Sequence, residues 1–226
     1  MDVGIIGAGS VGRSLGRGLT AAGHSVAFGV RDTGDPRYAD LAAGGQLADL
    51  AGAVDGAQVV VLAVPADAVA GAVAAMSLRA GQVLADATNA VRTPVPDGHD
   101  TLGSYVASLL PDGVAFVKAF DTIGAEHFDG RLAGTSGTFL PIAGDAEGTQ
   151  VVAQLAADLG FEPAVLGGRE AVGLVEDHAR LWIHLAFGCG WGRGFGFEDG
   201  CGLSSSAVIL GRSSWVFMTR QLVEMY

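Results

Sequence analysis

Apolar positions in this chain fall into short blocks separated by helical repeats, and the alternation begins close to residue 1. Ile5 and Ile6 form a brief β-branched run, Ser10 to Gly23 carries a helical pattern, and Val26 to Val30 is a second apolar run. Asp35 followed by Pro36 has the form of an N-cap with proline at the first helical position, opening a short helix through Leu41. Gln58 to Val64 is an unbroken apolar run, which a strand buried on both faces of a parallel sheet requires, and Pro65 ends it. The pattern then predicts a helix over Ala66 to Met76, a strand over Gln82 to Asp86, a helix over Asp100 to Leu110 and a strand over Ala115 to Phe120.

Strands alternating with helices over about 120 residues predict an α/β fold, a Rossmann-type doubly wound parallel sheet with its ligand crevice outside the carboxyl ends of the strands. That rule selects the loops after Ile6, Val30 and Val64, and the segment Thr88-Asn89-Ala90. Beyond Gly137 the pattern gives a strand over Thr138 to Ala143, a helix over Glu147 to Leu159, a strand over Glu162 to Leu166 and a helical stretch from Glu170 to Phe187. Residues 188–202, rich in glycine with Trp191, Phe195 and Phe197, suit a loop or cap over an apolar pocket. From Leu203 onward a packed terminal helix and a frayed tail are both compatible with the pattern. The expected organisation is a nucleotide-binding domain over residues 1–136 and a small C-terminal α+β or helical annex over 137–226 that covers the substrate or cofactor.

Gly7, Gly9 and Gly12 follow the first strand at G-x-G-x-x-G spacing, with Ala8, Ser10 and Val11 between them. The first glycine permits a tight turn, the second lets the backbone approach a pyrophosphate, and the third lets helix and strand pack closely. The helix start then offers free N–H groups to the phosphates. An NAD site places Asp or Glu about 20 residues after these glycines, whereas an NADP site supplies Arg. Here the second strand ends Phe28-Gly-Val-Arg31, so NADP(H) is the expected cofactor, with Arg31 toward its 2′-phosphate. The plainer alternative is a solvated Arg31 paired with Asp32.

Composition narrows the partners. A formal charge of −11, with Lys118 as the single lysine, argues against a nucleic-acid surface. No apolar stretch approaches the ~20 residues of a membrane span, and the early strand leaves no room for a signal peptide, so a cytoplasmic location is expected. Cys189 and Cys201 lack metal-ligand spacing and read as free thiols, and no metal is expected. The partners expected are therefore small molecules.

No compact Ser/His/Asp or Cys/His constellation is present. Ring-to-ring hydride transfer needs proximity rather than an acid–base pair, but reduction of a small ketone or imine needs a proton donor, for which Lys118, Asp121 and His127 are the clustered candidates. Each also has a structural reading: Lys118 pairing a sheet-end carboxylate, Asp121 capping a turn, His127 at the surface. No catalytic residue is assigned.

Taken together, several motifs resemble those of the coenzyme F420-dependent NADP oxidoreductases. They are Gly7-Ala-Gly-Ser-Val-Gly12, Gly29-Val-Arg31, Ala63-Val-Pro65, Asp86-Ala-Thr-Asn89, Val117-Lys-Ala-Phe-Asp-Thr-Ile-Gly-Ala-Glu126, Ile142-Ala-Gly-Asp145, Asp158-Leu-Gly-Phe161 and Leu181-Trp-Ile-His-Leu185. The resemblance implies hydride transfer between NADP(H) and the deazaflavin coenzyme F420. Carried over by motif, Ala8, Gly9, Ser10 and Val11 would contact the pyrophosphate, Val30 and Arg31 the 2′-phosphate, and Val64, Pro65 and Ala66 with Asn89 the nicotinamide side. It also implies a homodimer. The chain departs from the family in having Val30 where Ser is common, Asp121 where Asn is common, and an unfamiliar stretch after residue 197. The competing readings are an NADPH-dependent ketone or imine reductase and a non-enzymatic NADPH-sensing module.

Overall fold

The computed structural model describes residues 1–44, 46–91, 93–128 and 137–197, together with the backbone of 207–210 and 214–217. An eight-stranded sheet organises them. Strand β1 (Asp2–Ile6) is followed by helix α1 (Ser10–Ala21), β2 (Ser25–Gly29), a 3-10 turn (Pro36–Tyr38), α2 (Ala39–Gly44), β3 (Gln46–Ala48), α3 (Leu50–Val54) and β4 (Val59–Leu62). A second 3-10 turn (Ala66–Ala68) leads into α4 (Val69–Ala75), β5 (Val83–Asp86), α5 (Leu102–Ser108) and β6 (Ala115–Lys118). Then come β7 (Thr138–Gly144), α6 (Ala146–Asp158), β8 (Phe161–Gly167) and α7 (Val172–Ile183).

The strand order is β3-β2-β1-β4-β5-β6-β7-β8, and the first six strands are parallel. Both faces of this sheet are covered, which is why Val59–Leu62 is apolar throughout and fully buried. On one face Leu15 and Leu19 of α1 and Val152 and Leu155 of α6 pack with Phe28, Phe120 and Phe128. On the other, Val69 and Val73 of α4, Leu102 and Val106 of α5, and Val172 and Val175 of α7 pack with Val60 and Phe116. Helices on two faces of one sheet are the doubly wound arrangement expected.

Several local details differ from the expectation. Strand β3 and helix α3 lie in a stretch where the pattern gave no element; α3 is started by Asp49, whose carboxylate accepts the amide of Gly52 at 2.7 Å. Helix α5 begins at Leu102 rather than Asp100, because Thr101 caps it reciprocally with Ser104. The expected strand to Phe120 stops at Lys118, since Phe120 turns into left-handed backbone with φ +64°. The helical stretch ending at Phe187 becomes α7 followed by a π-turn over His184–Gly188. Near the C-terminus neither a helix nor a frayed tail describes 207–210 and 214–217: the segments β9 (Ala207–Leu210) and β10 (Ser214–Phe217) pair antiparallel.

The largest departure is directional. Strand β7 joins β6 antiparallel, with Val117 opposite Gly144 and Lys118 opposite Ala143, and β8 runs parallel to β7. Strand β8 therefore finishes at the amino edge of the first six strands, and α7 runs back from there toward their carboxyl edge. The reversal delivers the segment after α7 to the same edge as the glycine loop.

Candidate active site

A cleft of about 860 Å³ opens along that edge, lined by Gly7, Ala8 and Gly9 after β1, Val30 and Arg31 after β2, and Val64 and Pro65 after β4. Gly7 adopts φ +108°, and a Cβ on it would stand 2.3 Å from the carbonyl oxygen of Ala63. A Cβ on Gly9, by contrast, would have nothing within 4 Å. The second glycine thus leaves open space beside the start of α1, as a site for a pyrophosphate requires. Gly12 faces away from the cleft and packs under the turn. Ser10, Val11 and Ala66 also stand outside the lining, although Asp67 and Ala68, next to Ala66, belong to it.

The cleft also has a basic and aromatic end. Arg13, Arg37 and Tyr38 line the end nearest β2, where two guanidinium groups stand over the Tyr38 ring, Arg13 at 5.9 Å and Arg37 at 5.6 Å from its centroid. Arg13 donates to the Ala8 carbonyl at 2.9 Å and pairs with Asp40, while Arg37 pairs with Asp35 and holds its carboxyl below the usual range. Arg31 differs from both. Among the described residues it makes no hydrogen bond or ion pair, and Asp32, its alternative partner, instead accepts the Gly34 amide at 2.9 Å. An exposed, uncommitted guanidinium at the end of β2 fits a 2′-phosphate.

Asn89 lies beyond the cleft, after β5, and its side-chain amide donates to the main-chain oxygen of Asp121 at 2.8 Å. Behind it is a buried ionic cluster. Asp86 and Lys118 are register partners on β5 and β6, and the Lys118 ammonium donates to Asp86 Oδ2 at 3.0 Å and to the Thr88 carbonyl at 2.5 Å. Its other neighbours are Asp121 Oδ2 at 3.5 Å and Glu176 Oε1, from α7, at 4.0 Å. Glu176 also accepts the amides of Leu102 and Gly103, and Asp86 Oδ1 those of the Thr88 amide and hydroxyl. Burial alone would lower the Lys118 pKa, but Asp86, Asp121 and Glu176 outweigh it and hold the ammonium well above its usual value. Burial raises Asp121 to about 7, with Lys118 pulling it down and Asp86 and Glu176 pushing it further up. The reading of Lys118 as partner of a sheet-end carboxylate thus holds. Asp121 caps no turn: neither carboxyl oxygen has a hydrogen-bond partner.

The comparisons with known proteins bear on the fold and on the family. The family model described as NADP oxidoreductase, coenzyme F420-dependent, matches residues 2–90. A candidate F420-dependent NADP-reductase from Arthrobacter sp. FB24 is similar at 26% identity and TM-score 0.71, over 84% of this chain and 95% of that one. The hypothetical protein SMa0349 from Sinorhizobium meliloti is 32% identical with a TM-score of 0.64, over 76% of this chain and 88% of the other. Residues 2–90 of this chain are thus similar to the F420-dependent NADP oxidoreductase family. The chain is an NADP-dependent oxidoreductase. A reductive aminase from Aspergillus terreus, in complex with NADPH and ethyl levulinate, shares the fold at 19% identity and TM-score 0.66, with 84% of this chain covering 63% of that one.

In this oxidoreductase an aromatic strap follows α7. Trp182 donates its indole N–H to the Phe195 carbonyl at 3.0 Å and stacks on the Phe195 ring, 5.4 Å between centroids. The Phe139 amide donates to the Phe197 carbonyl, fastening the strap to the start of β7. His178 sits edge-on between Phe139 and Phe197, and burial lowers its pKa to about 4, so the ring is neutral. His127, expected at the surface, is buried instead: its Nε2–H donates to the Arg193 carbonyl at 2.7 Å. Arg193 in turn pairs with Glu126. Of the two cysteines, Cys189 is free and exposed, and Cys201 lies outside the described residues. Among the described residues no helix is long and apolar enough to cross a membrane, and no cluster of His, Cys, Asp and Glu could hold a metal ion.

Proposed function

We propose that this protein passes a hydride between NADP(H) and the deazaflavin coenzyme F420. The observation that carries the proposal is the cleft with its open second glycine and uncommitted Arg31; an aromatic strap of Trp182, Phe195 and Phe197 stands farther along the sheet, fastened to β7. The family's description and that of the Arthrobacter protein, both naming F420, support the choice of acceptor.

The residues divide the work by position. The amides at the start of α1, reached past Gly9, hold the pyrophosphate, with Ala8, Ser10 and Val11 around it. Arg31, beside Val30, holds the 2′-phosphate. Val64 and Pro65 form one wall of the nicotinamide site, and Asn89, its amide fixed by the Asp121 carbonyl, lies on the other side. NADP(H), when bound, supplies or accepts the hydride. Residues 1–136 thus form the cofactor cleft, and residues 137–226 cover the second ring and exclude water from it.

The experiment mixes purified protein with NADPH and oxidised F420 and follows loss of the deazaflavin's visible absorbance. Turnover is expected. Absence of turnover with tight NADPH binding favours a second reading, reduction of a small ketone or imine. On its side stands Asp121, a buried carboxyl without a hydrogen-bond partner, whose pKa burial pushes up to about 7.

A further inference from the structure

The two loops assigned to the phosphates of NADP(H) leave the sheet from neighbouring strands, the glycine turn from β1 and the Arg31 loop from β2. Residues 31–34 are exposed, and their loop is held mainly by its own acidic side chains: Asp32 accepts the Gly34 amide at 2.9 Å, and Asp35 the Arg37 amide at 2.9 Å. Tyr38 is the first apolar side chain after Val30 to pack against the core. Among the described residues, one side chain hydrogen-bonds this loop to α1, that of Arg13.

Arg13 stands in the first turn of α1, its own amide bonded to the Gly9 carbonyl at 2.9 Å. Its guanidinium reaches out of the helix in two directions. Nε–H donates back to the Ala8 carbonyl, inside the glycine turn, at 2.9 Å, and Nη2–H donates across to the Arg37 carbonyl at 2.5 Å. Nη1–H donates to Asp40 at 2.5 Å, but Asp40 is 62% exposed, so that ion pair contributes little. The two carbonyl bonds are what set Arg13 apart from a surface arginine. Nε and Nη2 belong to one rigid plane, which holds the two carbonyls at a fixed separation, and a lysine ammonium has no such fork.

We propose that Arg13 is a positioning residue for 2′-phosphate recognition: it ties the loop carrying Arg31 to the glycine turn, so that the pyrophosphate and the 2′-phosphate meet sites already at the spacing the cofactor imposes. The proposal rests on Arg31 as the 2′-phosphate ligand and not on which acceptor takes the hydride. Both phosphate groups are joined through one ribose, so the distance between them varies little. An exposed loop that is free to move must be ordered as the cofactor binds, and that cost is subtracted from the affinity; a loop ordered beforehand avoids it. NADH has no 2′-phosphate for Arg31 to hold, so it gains nothing from that order. Arg13 thereby raises the preference for NADPH through Arg31, without needing a contact of its own to the 2′-phosphate.

The test titrates NADPH and NADH separately into the full chain and reads the ratio of their affinities in wild type, Arg13→Ala, Arg31→Ala and the double variant, each checked for native circular dichroism. Arg13→Ala should lower the preference for NADPH by about 3- to 10-fold, less than Arg31→Ala does. With Arg31 already replaced, Arg13→Ala should leave the ratio unchanged, because nothing remains for the loop to position. Arg13→Lys should resemble Arg13→Ala although it keeps the charge, and it carries the comparison if Arg13→Ala does not fold. A role in stability alone would lower the denaturation midpoint and leave the ratio at its wild-type value, which overturns the proposal. A wild-type ratio in Arg13→Lys overturns it too, since charge would then suffice. So do additive losses in the double variant, which would mean that Arg13 meets the 2′-phosphate itself. If Arg31→Ala weakens both cofactors alike, the 2′-phosphate assignment fails and takes the role of Arg13 with it. A selective loss in Arg31→Ala beside an unchanged ratio in Arg13→Ala sinks the role of Arg13 alone.

Discussion

A Cβ on Gly12 would lie 2.0 Å from the carbonyl oxygen of Gly7, so the first turn of α1 rests directly on the loop that precedes it. Gly9 stands between them with nothing within 4 Å of where its Cβ would be. Two glycines of one motif are therefore placed differently, Gly12 against the protein and Gly9 beside open space.

Substitution should separate those constraints. Gly9→Val is expected to keep a native circular dichroism spectrum while abolishing NADPH binding in a fluorescence titration. Gly12→Val should lower stability by about 1–3 kcal/mol or more, because backbone rather than a yielding side chain meets the new atoms. NADPH binding by Gly9→Val at the wild-type level would reduce the motif to a turn.

Arg31 is expected to set the preference between the two nicotinamide cofactors. Arg31→Ala should weaken NADPH binding by roughly 1.5–3 kcal/mol, about 10- to 150-fold, and leave NADH nearly unaffected. Isothermal titration with both cofactors checks this, and equal losses for the two would remove the 2′-phosphate assignment. Arg13 and Arg37 are already paired with Asp40 and Asp35, which is why the effect should concentrate at Arg31.

Lys118→Met should destabilise the fold by about 3–5 kcal/mol at neutral pH, since it leaves Asp86, Asp121 and Glu176 buried without a compensating cation. Chemical denaturation of wild type and variant measures the difference. A loss below about 1 kcal/mol, the range of an exposed pair, would contradict the burial of this cluster.

Asp121 also predicts how stability depends on pH. Its folded pKa, about 7, is above the ordinary 3.8, so between those values the folded state keeps a proton that the unfolded state has lost. This group alone therefore makes stability fall as pH rises from about 4 to about 7, by on the order of 1 kcal/mol per pH unit, and contributes no further change above that. In Asp121→Asn the decline should be absent, so the variant gains on the wild type as pH increases. Denaturation midpoints at pH 5 and pH 8 test the sign.

Much of this was written locally in the sequence. Gly7, Gly9 and Gly12 announce a turn and a close approach, Val59–Leu62 announces burial on both faces, and Arg31 occupies the place where cofactor choice is made. The direction of β7 was not legible, because Thr138–Gly144 is apolar enough to suit a parallel or an antiparallel neighbour alike. Residues fixed by distant partners were not legible either. Glu176 lies on a helix whose pattern shows only amphipathicity, yet it caps α5, 73 residues earlier in the chain, at Gly103. His127 is buried by Arg193, 66 residues later. Arg37 and Tyr38 follow an N-cap and read as the start of a helix; that they face the cleft depends on how α2 and β3 turn back beside β2.

The burial of Lys118 has a practical consequence. It is the only lysine in the chain, and its ammonium is completely enclosed. A reagent that modifies lysine amines therefore finds none within reach along this chain while it is folded. Acylation at Lys118 should proceed only through molecules in which the sheet has opened, so its rate, read by mass spectrometry, counts those openings one molecule at a time without any introduced label.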